Sequence, residues 1–314
     1  MRNVAIAYIM MNTLFLGNGL SLLEGGVKWS DLLTRIYGTV IKENRNAPVP
    51  YTLQFEEILS KGVNKWRDSL NDESKNFDIK AIEKEAQKTV AKAKELAFAK
   101  TNEMYKQMIS LPFSQIITTN YDAAVTDTLK EMGYSLNSKS FQERLYSIRR
   151  YVSYKKGEEI KTVHYAHGDI QHPYSIMLGL NHYCGSIGKI NEYIKGKYTI
   201  QDNVITEMYS RLRAGISEIK SWIDLFFCSD VYIVGYGLDY SDIDLWWILN
   251  IRNRYLQHGC SEIIKNKIVF LGEIEKSKKE LLESFSVTVN DYDPKNNYKK
   301  MYETIYDAIK NQIT

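Results

Sequence analysis

Short apolar or β-branched segments that alternate with helical patterns are the feature of this 314-residue chain that most limits its fold. Several of the segments are continuously apolar, which is typical of parallel strands that are covered on both faces. Strands that alternate with helices favour an α/β fold with a doubly wound, mostly parallel sheet. The predicted strands are residues 13–17, 114–120, 161–167, 175–180, 230–237, 267–273 and 284–289.

One long interval contains no predicted strand. Residues 79–110 are rich in Ala, Lys and Glu and carry apolar residues at helical spacing, and residues 46–50 are predicted to form a loop before them. We therefore expect a Rossmann-like domain made of residues 1–50 and 112–314, with a helical insertion at 51–111. Further helices are predicted at 242–259, between His182 and Ile223, and after the last strand.

Composition limits the classes of function. The chain has 41 basic and 38 acidic side chains, a formal charge of +3, so it has no overall attraction to nucleic acid or to an anionic membrane. Its three cysteines form no C-x-x-C pair, so we expect no disulfide framework, no thiolate metal site and a reducing, cytoplasmic compartment. The apolar start at residues 4–16 lacks a signal-peptide cleavage site and is too short to span a bilayer. We expect its second half to be a buried strand.

Glycines and polar side chains stand at the ends of several predicted strands. Open parallel sheets bind ligands outside the carboxyl ends of their strands, where the strand order reverses. We therefore expect these residues to converge on one crevice. The residues are Gly17, Asn18, Gly19 and Ser21; Thr119, Asn120 and Asp122; His167, Gly168 and Asp169; and Gly235, Gly237 and Ser241.

Each of these strand ends also has a purely structural interpretation. The glycines at 17 and 19 could form only a tight turn, since Leu22 stands where the dinucleotide fingerprint has glycine and no phosphate-loop lysine follows. Asn120 and Asp122 could cap the following helix. His167 could be a packed, hydrogen-bonded residue. His164 and His182 are expected to be packed, and Asp239, Ser241 or Asp242 could cap the helix that follows the 235–237 turn.

Taken in order, the motifs GNGLS (17–21), TTNYD (118–122), HGD (167–169) and GYGLDYSD (235–242) resemble the sirtuin family. In that family a glycine-serine loop, a T-Q-N-x-D strand end, an H-G pair and a late G-x-S loop surround NAD. The resemblance spans nearly the whole chain. It is strongest to the divergent bacterial sirtuin-like domains that hydrolyse NAD in anti-phage defence.

The resemblance implies that NAD is the substrate and that no metal takes part. It implies that Asn120, supported by Asp122, seats the nicotinamide ribose and the attacking water, and that His167 accepts a proton. The amides of Gly17 and Gly19 would approach the pyrophosphate. The expected NAD-binding residues are Gly17, Asn18, Gly19, Ser21, Thr119, Gly168, Gly235, Gly237 and Ser241, with Glu273 at the adenosine ribose.

Two departures from the family favour hydrolysis of NAD over protein deacylation. The chain lacks the paired C-x-x-C motifs of the sirtuin zinc module, and LEGGVKWSDLL (23–33) replaces the G-I-P-D-F-R segment. The alternatives that remain are an NAD-dependent deacylase or ADP-ribosyltransferase and a non-catalytic nucleotide-sensing module.

An NAD hydrolase that is always active would kill its host. We therefore expect control by assembly into a homo-oligomer or by a separate partner protein, such as a helicase-like ATPase, an Argonaute or a phage component. The helical insertion is the expected contact surface.

Overall fold

A computed structural model describes residues 11–23, 25–37, 49–70, 80, 83–84, 86–91, 103–140 and 146–313, without the side chains of 34–37 and 62–70. The first part of the apolar start, residues 46–48 of the predicted loop and much of 79–102 lie outside the described residues.

An eight-stranded, mostly parallel sheet forms the centre of the fold, as predicted. Its order is β10-β9-β8-β1-β2-β5-β4-β3. All adjacent pairs from β10 to β5 are parallel, and β4 and β3 continue the sheet as antiparallel strands. The strands are β1 (Met11–Leu16), β2 (Gln115–Thr118), β3 (Ser135–Ser140), β4 (Tyr151–Lys156), β5 (Glu159–Tyr165), β8 (Ser229–Val234), β9 (Ile268–Gly272) and β10 (Thr288–Asp291); β6 (Thr199–Ile200) and β7 (Asn203–Val204) form a separate hairpin.

The predicted strand at 175–180 is wrong. Residues 173–175 form one 3-10 turn, and Gly179 is the N-cap of the helix that begins at Leu180. Ile176 and Leu178 are fully buried, but they pack in a side-chain cluster and are not paired in the sheet. An apolar run alone does not separate a buried strand from a buried connection. Strands β3 and β4 were not predicted, and β3 is polar and exposed along almost its whole length.

Helices connect the strands and cover the sheet. They are α1 (Gly19–Leu22), α2 (Trp29–Tyr37), α3 (Tyr51–Leu70), α4 (Glu103–Ser110), α5 (Ala124–Glu131), α6 (Leu180–Ile194), α7 (Met208–Ala214), α8 (Trp222–Cys228), α9 (Ile243–Tyr255), α10 (Lys276–Ser284) and α11 (Tyr298–Ile313), and residues 86–91 are also helical. Within the described part of the chain, no helix is long and apolar enough to cross a membrane.

The sheet is buried on both faces. Phe15 of β1 joins a core cluster on one face, whereas its neighbours Leu14 and Leu16 join a cluster on the other. This arrangement explains why β1 is a continuous apolar run. Helix α4 belongs to the second of these clusters, so the last helix of the predicted insertion packs in the core of the sheet. Helices α2 and α3 and residues 86–91 form a third cluster.

The strand order reverses between β1 and β8. From β1 the chain adds β2 and β5 on one side, and β8, β9 and β10 later extend the sheet on the other. The ends of β1 and β8 also touch through their backbones, because the amide of Gly17 donates to the carbonyl of Val234 at 3.0 Å and that of Gly19 to Gly235 at 2.7 Å. A Cβ atom at Gly17 would collide with the backbone of Gly235 and Tyr236.

We expect Gly17→Ala to destabilise the protein by about 1–3 kcal/mol, because the added methyl group meets backbone that cannot move aside. Gly188→Ala is the matched control, since Gly188 lies within α6 and has open space around its Cβ position. Alanine there should be neutral or stabilise the helix by up to about 1 kcal/mol. Denaturant unfolding of both variants tests the expectation, and equal stabilities would contradict it.

Candidate functional site

A cavity of about 430 Å³ opens at the reversal point, outside the carboxyl ends of β1, β2, β8 and β9. Its volume lies within the range of about 300–1,000 Å³ that is usual for small-molecule sites. Trp29 of α2 and Tyr51 of α3 also line the cavity, so elements outside the sheet contribute to the wall.

The structure brings most of the residues predicted from the sequence to this one cavity. Asn120 and His167, which lie 47 positions apart, both line it. The predicted residues on the wall are Asn18, Gly19, Thr119, Asn120, His167, Gly235, Gly237, Ser241 and Glu273. Five predicted residues are not among the described residues that line it: Gly17, Ser21, Asp122, Gly168 and Asp169.

The amides of Gly17 and Gly19 do not fit their expected role as phosphate donors. Both are already bonded to the carbonyls of Val234 and Gly235. Helix α1 is only four residues long, so it supplies a weak dipole at best. These glycines allow two strand ends to approach each other, in agreement with the tight-turn interpretation.

The Asn120 side chain is held rigidly at the end of β2. Its amide nitrogen donates to the carbonyl oxygen of Gly17 and to the hydroxyl of Tyr105, both at 3.1 Å. Because the Gly17 carbonyl can only accept, the orientation of the amide group is determined. Both N–H bonds are thus used within the protein, and the carbonyl oxygen of Asn120 is the group that is left for a ligand.

Three further predicted site residues adjoin lining residues in the sequence. Asp122 accepts a hydrogen bond from the amide of Ala124, the first residue of α5, but the N-cap of that helix is Ala123. Ser21 contacts the Tyr105 hydroxyl at 2.9 Å. Gly168 has φ +93°, and a Cβ atom there would collide with the carbonyl of Ser175.

His167 is buried and is engaged through both ring nitrogens. Its Nε2 lies 3.1 Å from a carboxylate oxygen of Asp244, and its Nδ1 lies 3.4 Å from the hydroxyl of Tyr183. Burial opposes protonation of the imidazole, but the carboxylates of Asp244 and Asp242 outweigh it and raise the pKa of His167 above 6.5. The other two buried histidines, His164 and His182, behave differently, because burial lowers the pKa of each to about 4.

The part of the cavity wall formed by Asp239 and Asp242, which we call the inner wall, is acidic. Burial raises the pKa of Asp242 to about 6. Among the described lining residues of the cavity there is no Lys or Arg. The nearby Lys278 of α10 donates to the carbonyl of Gly237, a lining residue, at 3.1 Å. A cavity of this charge favours positive charge on the part of a ligand that reaches the inner wall.

Ser241 offers a hydrogen-bonding group to a ligand. Its side chain is 4% exposed and lines the cavity, and its hydroxyl has no partner among the described residues. A buried hydroxyl without a partner costs free energy, on the order of 1–3 kcal/mol. A ligand that accepts from Ser241 would remove that cost.

Sequence reasoning missed several residues of the site. Asp242 was expected only as a possible helix cap, and Asp244 was not expected at all. Both follow the Gly235–Gly237 turn closely, so a search for carboxylates at the start of the next helix could have found them. Tyr105 and Tyr183 gave no such signal, because they come from α4 and α6 and reach the site only through tertiary packing.

Among the described residues, no group of His, Cys, Asp and Glu side chains is arranged to hold a metal ion. The chain matches no protein-family model, and a search of curated proteins found no match either.

The three buried histidines, His164, His167 and His182, should titrate in two classes in an NMR experiment on ring ¹⁵N or ¹³C signals. His164 and His182 should titrate near 4, because they are buried without a carboxylate partner, and His167 above 6.5. By linkage, His167 contributes stability that is present below about pH 6.5 and is lost as the pH rises through its folded-state pKa. His164 and His182 have the opposite sign, since their contribution is lost as the pH falls from about 6.5 towards 4.

Substitution of each histidine by glutamine assigns its signal. Titration of His167 below 6.5 would contradict the electrostatic description of the site.

Proposed function

We propose that this protein hydrolyses NAD at the bond between nicotinamide and ribose. The observation that carries the proposal is that Asn120 and His167 line one cavity of ligand size where the strand order reverses. The buried hydroxyl of Ser241 supports it, because that group lines the cavity, has no partner among the described residues and could bond to a ligand. The sirtuin-like order of the motifs suggests which ligand this is.

The reaction requires stabilisation of positive charge and removal of a proton. Cleavage of the bond leaves an oxocarbenium-like ribose, as in glycoside hydrolysis, and its electron pair goes to the nicotinamide nitrogen. The carboxylates of Asp239 and Asp242 on the inner wall suit that positive charge. Water then adds to the ribose carbon, with the carbonyl oxygen of Asn120 accepting a hydrogen bond from it and His167 receiving the proton that is released. The products are nicotinamide, ADP-ribose and one proton.

The charges of the cavity suggest how NAD lies in it. The nicotinamide ribose would lie at the acidic inner wall, near Asn120 and His167. The pyrophosphate would lie near Gly237, to whose carbonyl the cation Lys278 is bonded, because the carboxylates of Asp239 and Asp242 would repel it. The adenosine ribose would reach Glu273, which is exposed at the end of β9 and accepts a hydrogen bond from Tyr298 at 2.9 Å.

A role in anti-phage defence by depletion of NAD, with control by homo-oligomer assembly or by a partner protein, is part of the same proposal. Helix α3, which lies in the predicted insertion, lines the cavity through Tyr51, so a partner that displaced this helix would alter the site directly. Binding of a partner to the insertion could control the enzyme in this way.

We expect the purified protein to convert NAD to nicotinamide and ADP-ribose without any added peptide, as measured by proton NMR of the reaction. His167→Gln should lower kcat by about 10²–10⁴-fold, the usual contribution of general acid–base catalysis. His164→Gln is the matched control, because His164 is also a buried, hydrogen-bonded histidine but does not line the cavity.

The same assay separates the alternatives. Products that form only with an acylated peptide would indicate a deacylase or a transferase, and NAD binding without products would indicate a sensing module. Normal turnover by folded His167→Gln would remove His167 from the mechanism. Absence of NAD binding would overturn the proposal.

A further inference from the structure

We propose that the attacking water loses its proton through the hydroxyl of Tyr183, with His167 behind it as the acceptor and Asp244 as the residue that positions the imidazole. This inference rests on the proposed function, since it concerns the same site. Its evidence is the geometry of three buried side chains that come from α6, the β5 end and α9.

The carboxylate of Asp244 determines the tautomer of His167. Its Nε2 lies 3.1 Å from a carboxylate oxygen of Asp244, which can only accept when ionised. The proton of the neutral imidazole therefore lies on Nε2, and Nδ1 carries the lone pair. Asp244 is fully buried and its other carboxylate oxygen accepts from the Leu245 amide at 3.0 Å, so the carboxylate itself is held in place.

The lone pair on Nδ1 of His167 faces the hydroxyl of Tyr183. The hydroxyl of Tyr183 lies 3.4 Å from Nδ1, and the two rings meet edge to face with centroids 5.2 Å apart. Both ring nitrogens are thus occupied within the protein. A proton from the cavity reaches Nδ1 most directly by replacing the proton of Tyr183, which lines the same cavity. Contacts of this kind are often long without substrate and shorten when it binds.

The hydroxyl of Tyr183 is uncharged at neutral pH. Burial, followed by the nearby carboxylates, raises the pKa of Tyr183 well above 10, so its hydroxyl is protonated at neutral pH. A phenol of this kind does not remove a proton by itself, but it can accept one while it donates its own to His167. The ionisable groups that face His167 are Asp244, Asp242 and Tyr183.

In the proposed relay, one proton passes from the water to His167 by way of the Tyr183 hydroxyl. Water forms a bond from its oxygen to the ribose carbon, and the glycosidic electron pair leaves with nicotinamide. The proton lost by the water binds to the Tyr183 oxygen while the original Tyr183 proton moves to Nδ1 of His167. The resulting imidazolium is stabilised by the Asp244 carboxylate and later releases its proton to solvent.

Tyr183→Phe tests the relay, because it removes one hydroxyl and keeps the ring. We expect kcat to fall by ~100-fold with little change in KM, since the loss falls on proton transfer. Tyr193→Phe is the matched control. Tyr193 lies on the same helix, is fully buried and also bonds a carboxylate, that of Asp224 at 2.8 Å, but it does not line the cavity.

A second measurement does not depend on turnover. In ¹⁵N-histidine-labelled protein without ligand, the neutral His167 ring should show the Nε2–H tautomer. Asp244→Asn should lower the pKa of His167, and it should move the acidic limb of the kcat profile to lower pH. A residue with a purely structural role would not shift that limb.

The outcomes separate this inference from the proposed function. Hydrolysis of NAD with normal kcat in Tyr183→Phe, or a neutral His167 ring in the Nδ1–H form, would overturn the relay and leave the hydrolase proposal intact. Absence of hydrolysis by the wild-type protein would overturn the proposed function, and with it the catalytic role of the relay. The Nε2–H tautomer together with a selective loss of kcat in Tyr183→Phe supports the relay.

Discussion

The close approach of β1 and β8 at their carboxyl ends is the constraint on which the rest of the site depends. Two backbone hydrogen bonds, from Gly17 and Gly19 to the carbonyls of β8 and the turn after it, join these ends without room for a side chain at Gly17. Gly19 and Gly235, which form one of these hydrogen bonds, both line the cavity. Asn120 is bonded to the carbonyl of Gly17, so the position of its side chain follows from the same contact.

Chemically, the cavity is asymmetric. Its inner wall carries carboxylates and a histidine whose pKa is raised by them, whereas the nearby lysine, Lys278, bonds to the carbonyl of Gly237 on another part of the wall. Such a distribution suits a substrate that develops positive charge at one end and carries negative charge at the other. NAD is a molecule of that kind, because its nicotinamide ribose becomes cationic in cleavage while its pyrophosphate stays anionic.

Much of the fold was predictable, because continuous apolar runs such as the end of β1 report burial on both faces. The 175–180 segment is similarly apolar but is a buried connection. An apolar run indicates burial, and it does not show whether the segment pairs with strands of the sheet. In the site, strand ends were informative, and Asn120 and His167 were found through them. The role expected of Gly17 and Gly19 does not fit the hydrogen bonds of the structure. Tyr105 and Tyr183 could not be found, because their helices reach the site only in three dimensions.

A crystal structure of the His167→Gln variant with NAD tests the central claim most directly. The account predicts the nicotinamide ribose between the carbonyl oxygen of Asn120 and position 167, a ligand atom within hydrogen-bonding distance of the Ser241 hydroxyl, and the adenosine towards Glu273. NAD bound outside this cavity, or bound with its adenosine at Asn120, would contradict the account.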